Sequence, residues 1–97
     1  MATFYVYILF SPSIKQFYKG QTADIHKRMI KHNSGYEIST KNARPWILLW
    51  KTEKNSRGDA IQLERKLKNL SNHRLISFMK KYSHELTYDL KKLFPDS

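Results

Sequence analysis

Arg28 and His32 lie four residues apart in the stretch FYKGQTADIHKRMIKH (residues 17–32), which also carries Ile25 and Met29. At about 100° per residue a helix puts these four side chains on one stripe and sends Lys27 and Lys31 elsewhere. Glu64 repeats the oddity between Ala60 and Leu67, on the apolar stripe of a second expected helix. An isolated buried charge is costly, so such groups pair, meet water in a cleft, or bind a ligand. Tyr7 on a first strand and Tyr18 on a second can approach each other across a hairpin. Together they suit phosphodiester hydrolysis. Arginine neutralises charge on a phosphate, a carboxylate supplies oxygen to a hard cation, and a phenol or imidazole takes a proton from water. The plainer alternative is an Arg28–Glu64 ion pair tying two helices, with His32 bonded beside it and the tyrosines as ordinary core.

The elements that must position these groups follow from pattern. FYVYILF (residues 4–10) is aromatic, β-branched and apolar on both faces, so it is expected as a central strand. SPSIK turns the chain, QFYKGQ returns antiparallel, and Gly20 is expected to end that strand. Thr22 or Asp24 can cap the first helix, which runs to about Asn33 and closes at Ser34-Gly35. A polar loop, YEISTKNARP, leads to a third strand, WILLWKTE (residues 46–53), with Trp46 and Trp50 expected on one core face. A second helix carries Ala60, Leu63, Leu67 and Leu70. Ser71 caps a third with Leu75, Phe78, Met79 and Tyr82. Leu86, Leu90 and Leu93 extend helical spacing into the tail. The order β-β-α-β-α-α with a C-terminal helical tail implies an α+β domain: a small three-stranded, mainly antiparallel sheet flanked by helices.

Ninety-seven residues suit one domain, residues 1–97. No cysteine is present, which excludes a disulfide framework and a thiolate metal site. The opening MATFYVYILF lacks a basic leader and is too short for a membrane span, so a soluble cytoplasmic protein is expected, with no membrane partner. Eighteen Lys and Arg against eight Asp and Glu give a net charge of +10, spread along the chain. Such an excess attracts polyanions, nucleic acid first among them.

YVY (residues 5–7), YKG (residues 18–20), the RMIKH helix segment and Glu64 within LERKLK together resemble the GIY-YIG nucleases, over about residues 4–82, leaving residues 83–97 as a tail. The run HNSG…STK…RPW is similar to that of short bacterial stand-alone members. The chain departs from the family pattern in lacking a leading glycine before YVY, in placing Lys19 where an apolar residue is usual, and in its late asparagine, which neither nearby Asn69 nor Asn72 matches and whose place Arg74 or His73 can take. The resemblance implies Mg²⁺ (or Mn²⁺) on Glu64 and Arg28 stabilising the phosphate. Tyr7 and Tyr18 orient or deprotonate the attacking water, and His32 relays a proton. Products would carry a 5′-phosphate and a 3′-hydroxyl. A tyrosine base needs its pKa lowered from about 10, and Arg28 with the metal is the expected cause.

The loop residues Thr40, Lys41 and Arg44, with Lys19 on the second strand, are expected to touch nucleic acid. The reading is therefore a metal-dependent endonuclease acting on DNA, with RNA left open, and a role in repair or recombination. No further targeting module follows the domain, so low sequence specificity is expected, and a partner protein could supply targeting. The sequence is silent on oligomeric state. The rival is a nucleic-acid-binding module of the same fold with little or no catalysis. Tyr7→Phe and Tyr18→Phe are both expected to fold normally and to lose cleavage.

Overall fold

The computed structural model describes residues 3–35, 37–38 and 40–96. Its centre is β1 (Phe4–Ser11), which is hydrogen-bonded on both sides because neither of its faces tolerates water. β2 (Gln16–Thr22) and β3 (Ile47–Lys54) flank it antiparallel, in the order β2-β1-β3. β2 continues past Gly20 to Thr22, so that glycine does not end the strand. It lies directly opposite Tyr7 instead.

Three helices cover the sheet: α1 (Ile25–Ser34), α2 (Arg57–Lys68) and α3 (Asn72–Lys81). Their starts are set by side-chain caps. Asp24 accepts from the Lys27 amide, Ser56 from Asp59 and Ser71 from Arg74, each supplying an orphan donor with an acceptor. Gly35 ends α1 in the left-handed region at φ 89°, where a side chain would be strained.

Alternation along β1 divides the core. Val6, Ile8 and Phe10 join Leu49, Trp50, Ala60, Leu67, Leu75 and Met79 beneath α2 and α3. Tyr7 and Leu9 join Ala43, Trp46 and the half-buried Tyr18, Ile25 and Met29 beneath α1. The expectation that Trp46 and Trp50 share a face is corrected. Ile8 pairs with Trp50 but Leu9 with Leu48, so Leu49 is an extra residue that resets the alternation. The two tryptophans are both core, in different clusters.

The tail is helical only as two single 3-10 turns, Ser83–Glu85 and Leu90–Lys92. Between them the chain bends and touches β3 at a single isolated bridge. Leu86 bridges to Trp50, and Thr87 donates to Leu49 and Leu48 carbonyls at 2.8 and 2.7 Å. One sheet edge is thereby closed, which leaves β2 as the other edge. Among the described residues no helix is long and apolar enough to cross a membrane.

Candidate active site

Gly20 makes the site possible. A Cβ there would lie 2.7 Å from the Tyr7 hydroxyl, 2.9 Å from Tyr7 Cζ and 3.0 Å from Tyr18 Cε1. With only hydrogen at that position the Tyr7 ring lies across β2, parallel enough to Tyr18 to stack at 6.3 Å between centroids. Tyr18 also meets the edges of His32 at 4.8 Å and Trp46 at 6.1 Å.

The stripe of α1 completes the constellation. Tyr7 Oη is 2.9 Å from His32 Nε2, and Arg28 Nε donates to the same oxygen at 3.3 Å. Tyr7 and His32 have no exposed surface, whereas the Arg28 side chain keeps 28 %. The site thus has a buried layer and a solvent-facing layer, the latter holding Arg28 and the half-buried Tyr18.

Burial dominates the electrostatics. It pushes the Tyr7 hydroxyl up to about 12, although its bond to Arg28 works the other way. The expected lowering by arginine is therefore reversed in the free protein, because desolvation of a phenolate outweighs one partly exposed guanidinium. Burial likewise lowers the His32 imidazole to about 4, with the Arg28 charge adding to it and Glu37 opposing. The bond to Tyr7 raises the Arg28 pKa further above its usual value, so that group stays charged. At neutral pH the buried pair is a protonated phenol and a neutral imidazole.

The plain alternative of an Arg28–Glu64 tie is not what forms. Arg28 Nη1 bonds Glu37 Oε1 at 2.7 Å, and Glu64 pairs within its own helix with Lys68 at 3.4 Å. Glu64 keeps 19 % of its side chain exposed, and its charge still reaches Tyr7, on which it acts to raise the pKa. Lys19, half-buried on β2, has its pKa lowered by burial and then by the charge of Lys68.

The loop after α1 folds back on the helix through paired contacts. His32 Nδ1 meets Thr40 Oγ1 at 3.2 Å. Asn33 bonds Trp46 in both directions, at 3.2 and 2.6 Å. The Arg44 guanidinium lies so close to Gly35 that a Cβ there would sit 2.6 Å from it. Thr40 is therefore corrected as a residue meeting nucleic acid directly: it has no exposed area and faces His32. Lys41 and Arg44 are exposed, and Arg44 Nε is committed to the Lys41 carbonyl at 2.7 Å. Asn69 caps the end of α2 and Asn72 begins α3, both exposed. Sequence reasoning missed Glu37 and the Asn33–Trp46 clasp. The run HNSG…STK…RPW held the signal for the clasp, since its His32, Asn33 and Gly35 meet its Thr40, Trp46 and Arg44, but it does not contain Glu37.

Among the described residues no three His, Asp or Glu side chains cluster as a closed cation cage. Glu64 alone fits a different kind of cation site, one in which a hard divalent ion keeps water ligands and borrows phosphate oxygens from a substrate.

Two comparisons with known proteins agree with this geometry, and a third found no match. No curated protein sequence matches the chain significantly. The solution NMR structure of a UPF0213 protein from Bacillus halodurans is 29% identical, covering 80% of this chain and 83% of its own, with a TM-score of 0.53. The model of the GIY-YIG catalytic domain matches residues 3–82. With that match spanning β1 to the end of α3, the chain belongs to the GIY-YIG catalytic-domain family, a family of nucleases.

Proposed function

We propose that the protein is an endonuclease hydrolysing DNA phosphodiester bonds, with a divalent cation, Mg²⁺ or Mn²⁺, held at Glu64. The observation that carries this reading is the chain Arg28–Tyr7–His32: a cation at the surface, bonded to a phenol, bonded to a neutral imidazole. The net charge of +10 supports a polyanionic substrate. The cation, when bound, would supply Lewis-acid stabilisation of charge on the phosphate.

Arg28 uses Nε on Tyr7 and Nη1 on Glu37, and its exposed part would meet a phosphate. Phosphate approaching Arg28 competes with Glu37 for it. Tyr18, half-buried, is the phenol nearer to solvent, and Tyr7 lies behind it. A proton accepted by Tyr7 moves its own proton to His32 Nε2 along the 2.9 Å bond, so no free tyrosinate is required. Positive charge on His32 is disfavoured by burial and by Arg28, with Glu37 opposing, and a bound phosphate more highly charged than Glu37 would remove part of that penalty. Lys19, Lys41 and Arg44 act in this scheme as contacts to the nucleic-acid backbone, with DNA as the first substrate class to test.

The test is cleavage of a panel of labelled duplex, branched and single-stranded DNAs, with and without Mg²⁺ or Mn²⁺, by wild type and Glu64→Gln. Metal-dependent cutting by wild type alone is expected. Equal cutting by the variant would remove Glu64 from the reaction. A second reading, a binding module without catalysis, draws on Glu37 already occupying Arg28 and on the full burial of Tyr7. Binding without cutting on every substrate would select it.

A further inference from the structure

We infer that Thr40 is a positioning residue that fixes His32 in the tautomer protonated on Nδ1, leaving Nε2 free to accept from Tyr7. The catalytic consequence rests on the nuclease reading above; the tautomer itself does not.

Arginine has only donors, so the Arg28–Tyr7 bond makes the phenol oxygen an acceptor. The single phenolic proton then needs an acceptor in a place with no exposed surface. Among the described residues the partner at hydrogen-bond distance is His32 Nε2. A neutral imidazole with a bare Nε2 carries its proton on Nδ1, and that nitrogen faces Thr40 Oγ1 at 3.2 Å. Had Nε2 been the protonated nitrogen, Tyr7 would receive two donors and its own proton would have no partner. Every buried side-chain polar atom among the described residues has a partner in either arrangement; the phenol, more acidic than an aliphatic hydroxyl, is the better donor, so Tyr7 gives its proton to Nε2 and the Thr40 oxygen accepts from Nδ1.

Thr40 is itself held. Trp46 Nε1 donates to the Thr40 carbonyl at 2.9 Å, and Trp46 is clasped by Asn33 one residue after His32. The loop therefore returns to α1 at two adjacent residues and presents a hydroxyl to the rear nitrogen of the imidazole. The groups facing His32 are Tyr7 from β1, Tyr18 from β2, Arg28 from its own helix, and Thr40 with the charge of Glu37 from the loop. Burial and Arg28 keep the ring neutral at pH 7, so which nitrogen holds the single proton decides whether Tyr7 has an acceptor.

Long-range ¹H–¹⁵N spectra of the histidine rings at pH 7 read this directly in the free protein. Wild type is expected to show His32 protonated on Nδ1. In Thr40→Val, which keeps the shape and removes the hydroxyl, a substantial population shifts to the Nε2-protonated form; Thr40→Ser restores the wild-type pattern. On a cleaved DNA, kcat of Thr40→Val falls at least roughly tenfold, part of what positioned proton transfer supplies, with KM little changed and Thr40→Ser near wild type. A wild-type ring protonated on Nε2 overturns the inference without any variant. So does an unshifted tautomer in Thr40→Val, and a shifted tautomer with unchanged kcat reduces Thr40 to a structural role. If wild type cuts nothing, the nuclease reading fails while the spectra still decide the tautomer.

Discussion

Lowering the pH from 7 to 4.5 should destabilise the protein through His32 alone by about 2 to 2.5 kcal/mol. The ring titrates at about 4 in the folded protein. It takes its ordinary value of about 6.5 once the chain unfolds. Between those values the unfolded chain binds a proton that the folded chain refuses, so stability falls as pH falls. Above about pH 6.5 neither state is protonated there and the contribution is fully present; below about 4 both are, and the loss stops near 3 kcal/mol. Against the roughly 5 to 15 kcal/mol of a small domain this is a large fraction. Urea midpoints at pH 7, 5.5 and 4.5, for wild type and His32→Gln, isolate the effect, because carboxylate titration and the rising net charge are common to both. Wild type should lose about 2 kcal/mol more than the variant over that range. Parallel curves, or a His32 resonance titrating near its ordinary value, would refute the claim that burial beside Arg28 holds this ring neutral.

Gly20→Ala should cost about 1 to 3 kcal/mol in thermal or urea unfolding and lower cleavage, because its Cβ must displace Tyr7 from His32. An unchanged melting temperature would show that the pocket yields more easily than its packing implies. Tyr7→Phe removes a fully buried partner of both Arg28 and His32 and should cost about 1 to 3 kcal/mol by urea unfolding; Tyr18→Phe, at the half-exposed rim, should cost less than about 1. This revises the expectation that both fold normally, and equal stability of the two variants would contradict the revision. Glu37→Gln should tighten metal-free DNA binding by about two- to fivefold, the worth of a partly exposed ion pair. The gain should vanish in an Arg28→Ala background; persistence there would mean that only overall charge changed.

What the sequence made legible was local. The two-faced apolarity of β1, the cap at Ser71 and the glycine closing α1 each act within a few residues, and pattern alone finds them. The stripe of Arg28 and His32 on α1 was legible for the same reason, since helical spacing puts them beside Ile25 and Met29 whatever lies opposite. Failures came where a distant partner decides. Leu86, Leu90 and Leu93 have helical spacing, yet the chain around Thr87 leaves the helical path because the β3 edge offers it the Leu48 and Leu49 carbonyls. An extra residue at Leu49 is invisible in composition and reverses which side Trp46 takes relative to Trp50. Thr40 read as a loop hydroxyl in solvent, because its burial depends on Trp46 and Asn33 drawing the loop down. Arg28 could have met either Glu37 or Glu64, and spacing does not choose between them.

The choice of Glu37 bears on what Arg28 can contribute. In the free protein its charge is already compensated at 2.7 Å, so in the proposed reaction a substrate phosphate would exchange one anionic partner for another instead of meeting an unpaired cation. Exchange of that kind adds little to ground-state affinity. Its value grows only as negative charge accumulates on the phosphate in the transition state, beyond what a single carboxylate carries, and interactions that strengthen there raise kcat rather than lower KM. The same exchange reaches His32. Glu37 acts to raise the imidazole pKa and Arg28 to lower it, so a more highly charged group in place of Glu37 favours protonation of the ring as the reaction proceeds. Arg28, bonded at once to Tyr7 and to Glu37, would in the proposed reaction be the element through which charge at the surface sets the basicity of the buried imidazole.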